Sequence, residues 1–218
     1  MNLNFSSLKR ILFFVLSLSA SSSFAATNTS TGNGNWNTPG IWSLGHIPLS
    51  DEDVVINSNV VMNMPAGSFT VNSLTVNNSR TLTIGNSTTA QTINVTTFVT
   101  TSGSGTIVIG AFNAVHSLTI GGTLTNAGTF NMFNTAARLC NVTLNGTSIA
   151  GNGTYTFNHL TIGGVVTNSS TSTINVRGDL TLNNEFTCSG GIINFIGGVA
   201  QEITGTSNPT FNNLRFAT

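Results

Sequence analysis

The sequence predicts an all-β protein: a single-stranded parallel β-helix, or solenoid, of roughly eight coils with an N-terminal aromatic cap. Three observations support this prediction. A seven-residue motif returns along the chain, and short apolar segments alternate with Gly- and Asn-rich turns. After residue 25, no window shows the 3.6-residue apolar period of a helix. Stacked coils repeat in this way because each coil buries its apolar face mainly against its neighbours.

The repeated motif is Thr-Val-Asn-Ser-Leu-Thr-Val, at residues 70–76. Altered copies, of which the second is the weakest, lie at 114–120, 138–144, 156–162 and 210–216. The fifth residues of the five copies are Leu74, Leu118, Val142, Leu160 and Leu214. They are separated by 44, 24, 18 and 54 residues, close to multiples of about 20, as expected of stacked coils. We therefore expect these five side chains to line the core at equivalent coil positions.

Alternation within the short segments predicts which side chains face the core. In Leu82-Thr83-Ile84 and Leu180-Thr181-Leu182 a threonine stands between two apolar residues. Alternate side chains of a strand face opposite sides, so the apolar residues point inward and the threonines outward. Turn residues such as Gly121-Gly122 then supply the corners. An antiparallel sandwich or barrel also fits the alternation, but it does not explain the return of a whole motif.

The N-terminal segment predicts export. Lys9 and Arg10 precede the apolar run 11–18, and Ser23-Phe24-Ala25 provides a small-residue cleavage site. This pattern is typical of a secretory signal peptide over residues 1–25, cleaved near Ala25. We expect the mature protein to be secreted or held at the cell surface, without a transmembrane segment.

A polar leader and an N-terminal cap are predicted over residues 26–53, and repeats over 54–218. The residues interpreted as the structural cap are Trp36, Trp42, Pro48 and Asp53. Their role would be to cover the apolar end of the first coil. Exposed tryptophans that stack on carbohydrate are the alternative interpretation.

The last copy of the motif stands two residues before Thr218. A solenoid that ends on an apolar coil exposes unpaired strand edges and the end of its core. We therefore expect the repeats to be incomplete at the C-terminus, with a downstream domain or a stacking partner on the C-terminal coil.

Charge restricts the partners of the mature chain. Its basic residues are Arg80, Arg138, Arg177 and Arg215, and its acidic residues are Asp51, Glu52, Asp53, Asp179, Glu185 and Glu202. The resulting net charge is −2, and no lysine follows Lys9. Without a basic stripe to neutralise phosphates, nucleic acids are not expected partners, and neither are anionic membranes.

The opening of the mature chain resembles a known group of proteins. A Trp-x5-Trp-x2-Gly-x2-Pro pattern begins at Trp36, and acidic residues and Val54-Val55-Ile56 follow it. This opening, with the repeats behind it, resembles bacterial secreted right-handed parallel β-helix repeat proteins of the surface or adhesin-like type. The similarity covers residues 34–216, and a weaker one relates the chain to the eight-glycine extracellular domain. The resemblance implies a cell-surface or extracellular protein of a group with few assigned reactions.

No catalytic, cofactor-binding or metal-binding residues are predicted. The run Asp51-Glu52-Asp53 lacks the spacing of a Ca²⁺ loop, so we interpret it as a solvated loop before the first strand. His46, His116 and His159 have no partner at metal-ligand spacing and are interpreted as surface or coil-edge residues.

Two cysteines remain in the mature chain. Cys140 and Cys188 are 48 residues apart. Two separate buried thiols are the favoured interpretation, although export permits a disulfide and the spacing alone leaves both open.

These observations favour a non-catalytic exported segment, adhesin-like or a structural stalk, that presents Thr/Asn-rich faces to glycans or other surface proteins. A carbohydrate-active or carbohydrate-binding β-helix is the alternative. Arg177 and Asp179 form its one local charge pair, which a surface salt bridge explains equally well. Ice binding through outward threonines such as Thr81 and Thr83 is a remote alternative, because the repeats are uneven.

Overall fold

A computed structural model of the chain describes residues 24–64, 67–85 and 88–217. Residues 1–23, which make up most of the predicted signal peptide, lie outside these ranges, as does Thr218. Within them the protein is all-β, and the only helix is a 3₁₀ turn, η1, at Pro39–Ile41. No helix of the described residues is long and apolar enough to cross a membrane.

Twenty-five strands follow in chain order within the described ranges. The first thirteen are β1 (Thr27–Thr29), β2 (Gly34–Asn35), β3 (Asp53–Ile56), β4 (Val60–Met62), β5 (Gly67–Val71), β6 (Ser73–Val76), β7 (Thr81–Ile84), β8 (Gln91–Val95), β9 (Phe98–Thr101), β10 (Thr106–Ile109), β11 (Ala114–Ile120), β12 (Thr123–Asn126) and β13 (Thr129–Asn131). The others are β14 (Phe133–Thr135), β15 (Arg138–Leu144), β16 (Ser148–Ala150), β17 (Thr154–Phe157), β18 (Leu160–Ile162), β19 (Val166–Asn168), β20 (Thr173–Val176), β21 (Leu180–Leu182), β22 (Phe186–Cys188), β23 (Ile192–Phe195), β24 (Ile203–Gly205) and β25 (Leu214–Phe216).

The strands form three sheets, each of which is one face of the solenoid. The first face runs β1-β3-β6-β9-β12-β16-β19-β22, and the second runs β2-β4-β7-β10-β13-β17-β20-β23-β25. The third runs β5-β8-β11-β15-β18-β21-β24. Neighbours within these paths pair in parallel, and the chain visits the faces in turn. The predicted parallel β-helix of about eight coils is therefore confirmed.

One continuous core fills the interior, as the alternation predicts. On the third face Leu118, Val142 and Leu160 are register partners in successive strands. Each of the three is 1% exposed. The threonines that follow them also align with one another and are only partly buried. Apolar side chains therefore stack inside, while hydroxyl-bearing side chains stack outside.

The expectation that all five motif residues occupy equivalent coil positions is wrong. Leu74 is buried, but it lies on the first face, where it pairs with Val54 and Val99. Leu214 lies on the second face, beside Ile193, and is 39% exposed. It is exposed because β25 is the edge strand of its sheet in the described residues. The same apolar-x-apolar pattern points inward from every face, so it cannot tell which face a copy forms.

The polar leader, predicted to precede the repeats, already contributes strands to the solenoid. It forms β1 and β2, which pair with β3 and β4. The inward position of β1 is occupied by Asn28, which is fully buried. A polar residue at this inward position hides the strand from an apolar pattern. Its amide donates to Glu52 Oε2 at 3.0 Å, which satisfies the buried group.

A second inward column on the first face changes from apolar to polar. Ile56 and Val76 are succeeded there by Thr101 and Asn126. The Thr101 hydroxyl donates to Asn126 Oδ1, and Asn126 N–H donates to the hydroxyl of Tyr155 at 3.2 Å. All three polar residues are buried. Such contacts penalise a slipped register, because slippage would leave buried polar groups unpaired.

The coils shorten abruptly after β15. On the third face, 24 residues separate the partners Leu118 and Val142, whereas only 18 separate Val142 and Leu160. Strands β11 and β15 have seven residues each, but β18 and β21 have three. The first half of β15 therefore has no β18 partner and pairs instead with β14, in antiparallel orientation. This step leaves a space at the corner between the second and third faces.

Candidate functional site

The tryptophans lie inside the N-terminal end of the solenoid. Trp36 is 1% exposed and Trp42 is 3% exposed, with ring centroids 4.9 Å apart. The Trp42 indole donates to the carbonyl of Trp36 at 2.8 Å. Pro48 is also buried. Rings that are buried in this way cannot act as an exposed platform for carbohydrate.

The segment around Trp42 also pairs with the edge of the first face. Ser43 N–H donates to Thr29 O at 2.8 Å, and Thr31 N–H donates to Ile41 O at 2.7 Å. These bonds run antiparallel to β1. They occupy backbone groups that an edge strand would otherwise expose, which discourages edge-to-edge association at this end.

Asp51 is exposed, as predicted for a solvated loop, but the other two residues of the acidic run are held within the fold. Glu52 is 4% exposed. It accepts from Asn28 Nδ2 and from Leu49 N–H, each at 3.0 Å, and lies 3.4 Å from His46 Nε2. Asp53 accepts from Asn72 Nδ2 at 2.7 Å and from the Ser73 hydroxyl at 2.6 Å. The two carboxylates therefore hold the first coils together.

His116 is 1% exposed and occupies an inward position of β11, so it is a buried residue and not a surface one. Its Nδ1 accepts from Gln91 N–H at 3.2 Å, and its ring covers the backbone of Gly85. A Cβ at Gly85 would lie 2.2 Å from Nε2 of this ring. Burial lowers the pKa of His116 from its ordinary value, because the charged form is poorly solvated there.

The cysteines lie on different faces, Cys140 in β15 and Cys188 in β22. Both are buried free thiols. Burial raises the pKa of Cys140 far above its usual range, so this thiol is unreactive. The two thiols therefore behave as small core residues.

The candidate site is the space left by the shortened coils, which we call the corner groove. It has a volume of about 560 Å³. Its lining comes from the β14–β15 hairpin, from the corners at residues 158–159 and 177–179, and from the loop 197–200. Its lining residues include Phe133, Leu139, His159, Arg177, Asp179 and Val199.

Arg177 lies over the face of Phe133, with Cζ 4.1 Å from the ring centroid. This cation–π contact holds the guanidinium against the aromatic wall of the groove. The salt bridge that we considered between Arg177 and Asp179 is not formed among the described residues. One Asp179 carboxylate oxygen accepts instead from Glu202 N–H at 3.0 Å.

His159 and Asp179 are neighbours at the corner that leads into the third face, directly before β18 and β21. The backbone N–H of Asp179 donates to His159 Nδ1 at 2.9 Å. That nitrogen is thus an acceptor, and we assign the proton of the neutral ring to Nε2. The 3.4 Å contact between Nδ1 and the Asp179 carboxylate then carries no shared proton. A Cβ at Gly178 would lie 2.7 Å from Nδ1, so glycine permits this close approach.

Sequence reasoning singled out Arg177, Asp179 and His159, but it did not find the groove that they line. Arg177 and Asp179 stood out as a local charge pair, whereas Phe133 carried no signal because it departs from the repeat. The uneven spacing of 24 and then 18 residues was the available sign of a break. Among the described residues, no group of three His, Cys, Asp or Glu side chains is arranged to hold a metal ion.

No protein-family model, curated protein or solved structure matches the chain.

Proposed function

We propose that the protein is a non-catalytic exported β-helix of the cell surface or extracellular space, adhesin-like or structural, that presents its Thr/Asn-rich faces to glycans or other surface proteins. The opening's resemblance to secreted β-helix proteins supports this proposal. The observation that carries it is the ordered arrangement of hydroxyls on the outer surface.

Outward threonines form unbroken rows across successive strands. The row on the third face is Thr119, Thr143, Thr161, Thr181 and Thr204. The row on the second face is Thr81, Thr106, Thr129, Thr154 and Thr173. Adjacent strands lie about 4.8 Å apart, so each row offers donors and acceptors at a fixed spacing. Such rows suit a ligand that is itself rich in hydroxyl groups.

The low charge of the chain fits the same role. The mature chain carries ten charged residues in 193 positions. Neutral hydroxyl rows bind through hydrogen bonds and shape, and they do not depend on long-range attraction. We therefore expect attachment to neutral glycans to vary little with salt concentration.

Ice binding needs two adjacent regular columns of threonine on one flat face. On the first face Thr123 and Thr125 form such a pair, but Phe98 and Ala150 interrupt the two columns in neighbouring strands. On the second face the column beside the threonine row contains Val108 and residues of other types. The arrangement therefore supports a glycan-facing role better than an ice-binding one.

The test measures how well beads coated with the purified protein attach to immobilised glycans and to bacterial surfaces. Two triple variants replace three threonines of one row with lysine: Thr119, Thr143 and Thr161, or Thr81, Thr106 and Thr129. We expect wild-type attachment, and its loss in at least one variant whose circular dichroism is unchanged.

Three results would contradict the proposal. They are no attachment by the wild type, release of products from any polysaccharide, and thermal hysteresis in concentrated solution. Retention of attachment by both triple variants would show that the threonine rows are not the binding surface.

A further inference from the structure

We propose that the corner groove binds one carboxylate-bearing sugar unit of an acidic glycan, with Arg177 as the residue that recognises the carboxylate. This inference rests on the proposed glycan-facing function and assigns it a specific subsite. Its evidence is separate from the threonine rows and comes from the groove's own charges, walls and dimensions.

The first observation is an arginine without a partner. No hydrogen bond or ion pair in the described part of the chain takes up the guanidinium of Arg177. Arg138, by contrast, donates from Nε to Asn113 Oδ1 at 2.9 Å. A guanidinium has five N–H donors in a rigid plane that matches a carboxylate in bidentate geometry. In Arg177 these donors are available to a ligand.

The second observation is that this arginine is held in place before any ligand arrives. Phe133 supports its guanidinium plane from the β14–β15 hairpin. The hairpin interrupts the regular repeat, and departures of this kind are where functional sites are expected. A fixed guanidinium loses less conformational entropy on binding than a free surface arginine.

The third observation is the mixture of walls around the charge. Phe133, Leu139 and Val199 give apolar surface, and Val199 is 78% exposed. The Nε2–H of His159 is a donor, and the carboxylate of Asp179 is an acceptor. A sugar ring has the matching features, since its C–H faces are apolar and its hydroxyls both donate and accept.

The charges also limit the ligand to a single acidic group. Asp179 lies two residues from Arg177. Glu202 lies beside Asp179 in the next coil, where its N–H donates to the Asp179 carboxylate. A polyanion such as nucleic acid would meet these carboxylates as well as the arginine and be repelled. One carboxylate on a hydroxyl-rich scaffold avoids this conflict. A volume of about 560 Å³ lies within the usual range of small-ligand sites.

The experiment is calorimetric titration of the purified protein with three probes: a uronate trisaccharide, its neutral hexose counterpart and a sulfated disaccharide. We expect the uronate to bind at least tenfold more tightly than the other two, with one site per chain. In Arg177→Gln this preference should disappear, while Arg80→Gln, at an exposed arginine away from the groove, should retain it.

A second variant tests the groove at an exposed residue, where a substitution should not impair folding. Val199→Asp places a negative charge on the exposed wall without touching the core, and it should weaken uronate binding by tenfold or more. Equal affinity for all three probes, or tighter binding of the sulfated one, would overturn the carboxylate assignment. So would equal losses in Arg177→Gln and Arg80→Gln. Bead attachment through the threonine rows should survive Arg177→Gln, so failure of this inference is distinguishable from failure of the proposed function.

Discussion

Leu160 provides a direct test of the in/out assignment, because its neighbours inside the core are known. It is 1% exposed and stacks between Val142 and Leu180. Leu160→Ala removes three carbons, worth about 0.8 kcal/mol each in transfer from water, or about 2.4 kcal/mol. The cavity that remains adds to this, so we expect a loss of about 3–4 kcal/mol.

Two matched variants separate burial from position in the motif. Thr161→Ala changes the outward neighbour and should cost less than about 1 kcal/mol. Leu214→Ala changes the same motif position as Leu160, but its side chain is 39% exposed. We expect it to cost less than about 1.5 kcal/mol.

The assay is denaturant unfolding followed by far-UV circular dichroism, with thermal melting as a second measurement. For a chain of this length a loss of about 3 kcal/mol lowers Tm by roughly 6–12 °C. Equal losses at Leu160 and Thr161 would refute the inward assignment. A loss at Leu214 as large as that at Leu160 would show that the C-terminal coil is as well covered as the middle of the solenoid.

Three further predictions concern single residues. Burial lowers the pKa of His116, so the unfolded state binds more protons than the folded state at acidic pH, and stability is lost as pH falls through about 6.5. In a pH series of denaturant unfolding, His116→Gln should remove this loss of unfolding free energy, whereas His159→Gln should retain it. Gly122→Ala would place a Cβ 1.6 Å from the Thr97 carbonyl oxygen, so we expect little folded protein on expression, assayed by yield and circular dichroism. Tyr155→Phe deletes a buried hydroxyl that bonds two backbone groups and should lower the unfolding free energy by about 1–3 kcal/mol; an unchanged denaturation midpoint would contradict that role.

The architecture was predictable because one local rule holds at every coil. Apolar residues flank a threonine in segments such as Leu180–Leu182, and this alternation alone fixes which side faces the core. Return of the motif then favoured coils over a sandwich. Asn28 is the informative exception, since a satisfied polar residue at an inward position is invisible to a hydrophobic pattern.

The corner groove was not predictable, because it depends on distances between coils. Phe133 and Arg177 are 44 residues apart, and only the register of the intervening strands brings them into contact. That register depends on corner lengths, which Gly and Asn signals locate only approximately. Glu52 was misinterpreted for a related reason, because its partners Asn28 and His46 come from separate segments.

The abrupt shortening of the coils after β15 has a consequence for valency. The threonine rows recur from coil to coil, so a regular polymer can engage one molecule at many points and gain avidity from each. Within the described residues the groove forms once, where β15 meets the shorter β18. Under the proposed assignment, one molecule therefore binds an acidic unit only monovalently. Strong retention of an acidic glycan would require many copies displayed together, so surface density would set its strength.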